Sequence, residues 1–531
     1  MSTFHGLEVA KCGLFTQQSA LHTTGHNIAN ANTSGYTRQR VNFEQTAPYP
    51  PASRNRPEIP GQVGSGVQAG SIERVREQFL DIQFRGETNK AGYWESKADS
   101  IGKMEEVMNE PSEQGLSKTM DRFWQSLQDL ATNPEDSGAR SVVRQRGIAV
   151  AETFNYLSGS LEGIQKDLEN EIDVTVKDIN SLLTQIDQLN QQIGNVEPHG
   201  YLPNDLYDER DRLIDDLSQL VELEVNYEMS KGKPDAMAMG QATIQLVNET
   251  EKDLLVNGKP GQGESRVYHL NAEVNEVAGR SVVTGFSLSS KDGNGVTKNL
   301  DTYSSQGKLL ALKESHGYQN SDGESRGMYL DMLADLDKMA YAFATEFNRV
   351  HQEGATLKDI ENNTNDVNPL VSSQPFFTEG TSQLTDKGTV NAGLAGRLDI
   401  HTDIIKDTDH IAAAAKGQPY AGDGSNALAL ADVKDAELDG LGEATSLKGY
   451  YEGVIGKMGV ESQEYQRLQS NAGTLKESVE QRRQSVSAVS LDEEMTNMIK
   501  FQHAYNASAR NMTAVDEMLD RIINQMGLVG R

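Results

Sequence analysis

At 531 residues the chain exceeds one ordinary core, so two to four domains are expected. With 36% hydrophobic and 24% charged residues and a mean hydropathy of −0.58, it is a polar protein with little core to spare. Its formal charge of −29, from 78 acidic against 49 basic residues, repels phosphate backbones and anionic lipid surfaces and argues against nucleic-acid binding.

From Phe4 onward Leu7, Leu14, Leu21 and Ile28 recur every seven residues, with Ala10 and Thr24 between them and Lys11, Gln17, Gln18 and His22 on the flanks. So narrow an apolar seam predicts helix-on-helix contact. Cys12, the one cysteine, reads as a small residue on that helix. Such scarcity suits a reducing compartment, or a chain threaded unfolded through a narrow channel. The start lacks the charged, apolar and small-residue regions of a Sec-type leader. Asn27, Asn30, Asn32 and Gly35, just before Tyr36, tolerate left-handed backbone, so the helix should stop between Asn30 and Asn32. Residues 1–48 therefore read as a terminal helix and turn. Residues 49–78, behind Pro48 and containing Pro50 and Pro51, read as an extended linker.

Helical pattern resumes at about Glu73, and residues 79–225 form the first part of a helical body. Ile172, Ile179, Ile186 and Ile193 share one register, while Leu161, Leu168, Leu182, Leu189 and Val196 fill the other, a coiled-coil pattern. After Pro198 and Pro203, residues 205–225 supply a second helix. Residues 226–312 alternate apolar and polar positions in short runs (ATIQLV, DLLVNG, RVYHL, VVTGFSLSS) separated by turn-forming GKPGQGE and KDGNG, so they read as a β-rich insertion. Within 313–355, helix returns at Met328, where Tyr329, Leu333, Leu336, Ala340, Phe343, Phe347 and Val350 step by fours and threes. Residues 356–420 read as mixed and loop-rich, with a polar loop at 359–368, and 421–486 as the last part of the helical body.

The final segment, 487–531, mirrors the first. Leu491, Met498, Tyr505, Met512, Leu519 and Met526 recur every seven residues, with Met495, Ala509 and Ile523 in a companion register; Ser490 and Glu493 make a capping box. The fold expected is mainly α with a β-rich insertion: paired N- and C-terminal helices, a helical-bundle body and an outer β-rich domain, elongated and multidomain. A lone helix with one apolar stripe is marginal in water, and each large side chain it buries contributes about 1.5–3 kcal/mol. Periodicity alone leaves two partners open for the terminal stripes, each other in an intramolecular bundle or neighbouring subunits in the wall of a tube.

Chemical readings are thin. His22 and His26 stand at i and i+4, but no third ligand is arranged near them, so no metal is expected. Gly64-Ser65-Gly66 lacks the lysine and spacing of a phosphate loop, and Asp292-Gly293-Asn294-Gly295 lacks the later acidic ligands of a calcium loop; both read as turns. No serine elbow, HExxH or Cys/His pair occurs. The expectation is no enzyme and no cofactor. No run approaches 18 apolar residues, so no membrane span is expected.

The motifs carry a resemblance. NIANANTSGYTRQR, at 27–40, resembles the N-terminal signature of the flagellar rod, hook and hook-associated axial family, and residues 485–527, with FQHAYNASAR at their centre, are similar to its C-terminal counterpart. DERDRLIDDLSQLVELEV, at 208–225, and MLADLDKMAYAFATEFNRVHQEG, at 332–354, resemble the hook-associated protein 1 branch within that family. Ala488 and Ser490 stand where the family usually carries glycine and asparagine. The likeness is strong over roughly the first 80 and last 90 residues.

The resemblance implies a structural subunit joining hook to filament, exported through the flagellar type III apparatus and therefore secreted after a transient cytoplasmic stage. Its partners would be hook protein, hook-associated protein 3, copies of itself and a small cytoplasmic export chaperone. Assembly contacts would fall on Leu7, Leu14, Leu21, Ile28, Asn27, Asn30, Asn32, Gly35, Tyr36, Leu491, Met498, Tyr505, Met512, Leu519 and Met526, and chaperone contacts on Met512, Leu519 and Ile523. Alternatives are another axial component (hook or filament subunit) or a cytoplasmic coiled-coil scaffold.

Overall fold

Helical stripes need partners, and in this protein the longest of them meets helices on one side and sheets on the other. The structure, a computed structural model, describes residues 4–50, 54, 61–108, 112–113, 115–249, 251–261, 264–291, 297–300, 303–320, 322–361, 374–380, 384, 390–416, 419–438, 440–441 and 445–525. It is mainly α with small sheets. In chain order come α1 (His5–Ala29), β1 (Gln39–Gln45), β2 (Val67–Arg74), α2 (Gln78–Met108), α3 (Leu116–Thr132), α4 (Ser137–Val196) and α5 (Asn204–Leu220). The β-rich stretch holds β3 (Leu223–Glu228), β4 (Gln241–Val247), β5 (Lys252–Val256), β6 (Tyr268–Val277), β7 (Arg280–Ser290) and β8 (Lys298–Leu300), then α6 (Lys308–His316), β9 (Tyr318–Gln319) and β10 (Ser325–Arg326). The remainder is α7 (Met328–Glu353), β11 (Gly354–Ala355), α8 (Leu357–Glu361), β12 (Phe377–Glu379), β13 (Leu398–Ile400), α9 (Thr402–Lys406), β14 (Ala414–Ala415), α10 (Ser425–Asp432), α11 (Leu447–Ser487) and α12 (Leu491–Asp520).

The stretch read as a linker is largely a hairpin. β1 pairs antiparallel with β2, Gln39 opposite Arg74 and Val41 opposite Ile72, and the prolines fall in the connection between the strands. Strand therefore continues to Arg74, and helix starts at Gln78 instead of Glu73. Most of the proline-rich connection, including Pro51 and residues 55–60, lies outside the described residues.

α4 begins where the Asp136 carboxylate accepts from the backbone N–H groups of Gly138 and Ala139 at 3.0 and 3.2 Å, an N-cap. Its Ile172, Ile179, Ile186 and Ile193 are buried, but not against a coiled-coil mate. Asn180 exchanges hydrogen bonds with the Leu270 backbone at 2.7 and 2.8 Å, and Asn190 with that of Ala242 at 2.8 and 2.9 Å, so sheet edges dock on the helix through paired amides. Leu182 and Leu189, in the second predicted register, are only partly buried. The sevenfold spacing marks a covered face; α5, α6 and strands β4 to β6 cover it.

Two sheets make the insertion, β3-β4-β5 and β10-β9-β7-β6 with β8 on β7. Strand begins at Leu223, three residues before the expected boundary. Helix returns at α6, so Leu309 and Leu312, read as the end of the insertion, are buried helical core. Gly307 and Gly317, at φ of 129° and 125°, bracket this short helix. The aromatic heart of the body is formed by Phe123 and Trp124 of α3, Phe343 and Phe347 of α7, and Phe376 with Phe377. Asn348 holds the last pair by accepting from both their backbone N–H groups at 2.8 Å. The turn read at 292–295 and most of the polar loop at 359–368 lie outside the described residues.

Candidate functional site

The chain's two ends meet in one antiparallel helix pair. Gly6 of α1 lies beside Val515 of α12, Gly13 beside Ser508, and Asn27 beside Glu494. The β1–β2 hairpin braces the pair: the Thr16 hydroxyl donates to Val67 O at 3.0 Å, and Phe43 meets Phe501 edge-on at 5.9 Å.

The predicted leucine seam is displaced. The buried face of α1 is Ala10, Thr16, Ala20, Thr23, Thr24 and Asn27, while Leu7, Leu14, Leu21 and Ile28 are half-buried on its margins. Small side chains occupy the line of closest approach, and the leucines close over its edges. On α12, Met498, Tyr505, Met512 and Leu519 are half-buried, and Glu494 is the buried side chain. Leu491 is exposed, because in the first turn the inward position falls three residues later, at Glu494. Ile523 faces outward with Met495, Ile499, Met518 and Ile522, as do Phe15 on α1 and Phe4 just before it. Met526 lies outside the described residues.

Below the pair, the segment after α1 folds into a knot of hydrogen bonds. Asn27 Oδ1 accepts from the Tyr36 hydroxyl at 2.9 Å and the Gln39 N–H at 3.0 Å; its Nδ2 donates to Gln39 O at 2.8 Å and to Glu494 Oε2 at 3.1 Å. His26 Nδ1 lies 2.9 Å from the Tyr36 hydroxyl, so this ring belongs to the turn, whereas His22 is exposed. Burial, with the carboxylates of Asp205, Asp208 and Glu494, pushes the Tyr36 phenol above its ordinary range, so it stays a donor. Asn30 caps α1 by donating to His26 O at 3.1 Å, and Gly35, at φ of 80°, turns the chain against Arg212. Asn32 is exposed.

Under the turn lies a layer of arginines and aspartates that the sequence reading missed. Arg74 Nη1 donates to Asp208 at 2.7 Å and Asp211 at 2.9 Å; Arg76 meets Asp81 at 2.6 Å and Asp211 at 3.2 Å; Arg85 and Arg483 both hold Asp215, at 2.7 and 2.5 Å. Asp208 also accepts from the Thr37 N–H at 2.9 Å, tying turn to body. Burial alone pushes the Asp211 carboxyl up, but the guanidiniums of Arg76, Arg74 and Arg85 outweigh it and hold the group well below the usual carboxylate range. The signal was present: Asp208, Asp211 and Asp215 sit at helical spacing on one face, and Arg76 follows Arg74 by two residues, the spacing that puts side chains of an extended chain on one side.

An open cleft of about 500 Å³ separates the turn from the end of α11, lined by Tyr36, Arg76, Arg212, Asp215, Lys476 and Glu480 among others. Among the described residues no three His, Cys, Asp or Glu side chains converge as a metal site, and no helix is long and apolar enough to cross a membrane. The turn, the arginine–aspartate layer and the hairpin together tie a helix pair with exposed apolar margins to the body.

Three sequence-family models match the chain. They are the flagellar hook-associated protein FlgK helical domain over residues 101–366, the flagellar basal body rod FlgEFG protein C-terminal over 480–526, and the flagella basal body rod protein over 7–37. The chain is 44% identical to flagellar hook-associated protein 1 of Bacillus subtilis (strain 168) across 100% of both chains. It is 26% identical to that of Escherichia coli (strain K12), over 97% of this chain and 98% of the relative. A solved structure, the flagellar hook junction protein FlgK from Burkholderia pseudomallei, superposes with a TM-score of 0.54 at 16% identity, over 77% of this chain and 100% of that one, and so shares the fold.

Proposed function

The chain belongs to the flagellar hook-associated protein 1 family and is a structural component of the bacterial flagellum, and from that premise we propose that it joins hook to filament through its terminal helix pair. The observation that carries this reading is the outward apolar set on that pair: Phe15 on α1 with Phe4 just before it, and Leu491, Met495, Ile499 and Met518 on α12 with Ile522 and Ile523 in the π-helical turn that follows it. A helix pair exposing such side chains at both ends gains most from burial against further helices of the same kind.

On this reading the neighbours are copies of the same chain, hook protein on one side and hook-associated protein 3 on the other. The chain reaches its place through the flagellar type III export apparatus. Before export, a small cytoplasmic chaperone covers the C-terminal helix around Met512, Leu519 and Ile523. Cells lacking the protein should build hooks, release filament monomers into the medium and carry no filaments. Full-length filaments on such cells, seen by electron microscopy, would refute the junction role.

A further inference from the structure

The two long C-terminal helices are separated by three residues, Ala488, Val489 and Ser490, and little in that local sequence stops a helix. The run SVSAVS at 485–490 contains no glycine or proline, and alanine is the best helix former. Yet Ala488 is extended, at φ −72° and ψ 153°, and α12 restarts at Leu491 behind Ser490, whose hydroxyl accepts from the Glu493 N–H at a long 3.5 Å. So weak a cap does not account for the break.

Arg38 spans it. In a continuous helix the Ser487 carbonyl would accept from the N–H of Leu491. Here it accepts from the Arg38 N–H at 2.9 Å. The same residue's guanidinium reaches the first turn of the next helix, Nε to Glu494 at 2.8 Å and Nη1 to Glu493 at 2.7 Å. Arg38 is itself held to the body, because its carbonyl accepts from the Val75 N–H at 2.8 Å and the preceding N–H, of Thr37, donates to Asp208. One residue near the N-terminus thus closes the end of α11 and holds the start of α12.

We propose that Arg38 is a positioning residue that keeps α11 and α12 from fusing into one helix, and so sets the direction in which the terminal pair leaves the body. The inference deepens the assembly reading, on which the direction of the pair matters. On this proposal the grip of the guanidinium on Glu493 and Glu494 is what keeps the residue-38 N–H on the Ser487 carbonyl; with that grip lost, residues 488–490 join the flanking helices, α12 swings off α1, and the Gly13–Ser508 contact is lost.

The test uses the full-length chain carrying Cys12→Ser with Gly13→Cys and Ser508→Cys. A Cβ on Gly13 would stand 3.9 Å from that of Ser508, within disulfide range, so this pair oxidises readily when the helices are in place. Adding Arg38→Ala should slow oxidation on the order of tenfold, and amide exchange at 489–491 should slow on the order of tenfold as those groups enter a helix. Loss of a merely stabilising contact would leave these amides unprotected. Val489→Pro, added to Arg38→Ala, should restore oxidation, because proline forbids the fused helix and the extended Ala488 suits the position before it. Should Arg38→Ala fail to fold, Glu493→Gln with Glu494→Gln removes the same ion pairs from the other side and should give the same protection. Unchanged exchange at 489–491, or no rescue by proline, would overturn the proposal. Neither outcome touches the flagellar reading, which stands or falls on the deletion strain.

Discussion

Arg38 and Glu494 lie 456 residues apart in sequence and meet at 2.8 Å, with only 2% of Glu494 reaching solvent. Asn27 donates to the second oxygen of the same carboxylate, so one side chain of the C-terminal helix answers two of the N-terminal segment. Truncating one partner of a buried ion pair costs about 3–5 kcal/mol, because the other is left desolvated. Glu494→Ala should therefore weaken the α1–α12 pair by about 3 kcal/mol, the low end of that range, since Arg38 keeps Glu493. Glu493 is 62% exposed, and Glu493→Ala should cost no more than about 1 kcal/mol. Amide exchange in α12 of the two variants reads the contrast; equal effects would mean that the burial of Glu494 contributes nothing.

The β6–β7 hairpin turns on Ala278 and Gly279, at φ of 51° and 79°, with Val277 paired to Arg280. Both central residues are left-handed, the type I′ geometry, which favours Asn-Gly and strains alanine. Ala278 is exposed, so a change there meets only the backbone. Ala278→Asn and Ala278→Gly should each raise stability by about 0.5–1 kcal/mol, read as a higher urea midpoint with unchanged slope.

From its turn-rich texture, the insertion read as an outer β-rich domain. The structure gives it a packing role. Removing 226–312 would cut β3, delete the buried Leu309 and Leu312, and strip the partners of Asn180 and Asn190 from α4. Such a variant should lose cooperative thermal unfolding of the body. Glu276→Ala, at the exposed tip of the β6–β7 hairpin, should not.

How much the sequence disclosed depended on what each residue type can signal. The α7 stripe from Tyr329 to Val350 was legible because every large side chain in it enters the core. Alternation made β4 legible in the same way, with Ala242, Ile244 and Leu246 all buried, whereas β7 buries neighbours such as Val282 and Val283 and was legible by its apolar, β-branched run. On α1 the rule failed, since Ala20, Thr23 and Thr24 are buried and the leucines that set the period stand at the margin. The isoleucines of α4 announced a covered face without saying that sheets cover it. The β1–β2 hairpin was hidden by the prolines of its own connection. In a chain with 78 acidic residues, none of them names its partner, so the bonds from Arg38 to Glu494 and from Arg74 to Asp208 needed the folded structure.

His351 is fully buried; its Nδ1 donates to Gln374 O at 2.9 Å and its Nε2 accepts from the Ala412 N–H at 3.0 Å, which requires the neutral ring. Burial, helped by His401 and Arg140, pushes its pKa down to about 4. In the unfolded chain it titrates near its ordinary value of about 6.5. Between these values the unfolded state binds the extra proton, so this contribution is complete above pH 6.5 and is lost as pH falls toward 4, about 3 kcal/mol in all. His351→Gln should flatten the dependence of unfolding free energy on pH across that window, measured by urea titration at pH 7.5 and pH 5. An unchanged slope would mean that the ring is charged in the folded state.

Burial separates the terminal pair from the body in stability as well as in space. In α12 the one fully buried side chain is Glu494, and α1 buries only Ala10 and Ala20 among its apolar residues. The body encloses Phe123, Phe154, Phe343, Phe347, Phe376 and Phe377. Ordering a backbone costs about 1–2 kcal/mol per residue, and so small an apolar contact offsets it only narrowly. The pair should therefore open far more often than the body unfolds, as a separate cooperative unit. In the free monomer, amides of 5–29 and 491–520 should exchange orders of magnitude faster than those of α3 and α4. Leu14→Asp or Met512→Asp, each placing a charge in a half-buried seam, should leave the thermal midpoint of the body within about 1 °C, since distant sites act independently. Both variants should abolish motility, because the seam must close for the outward apolar side chains to meet their neighbours. Exchange as slow at the ends as in α4 would show a pair that is already stable alone, and the charge substitutions would then lower the midpoint too.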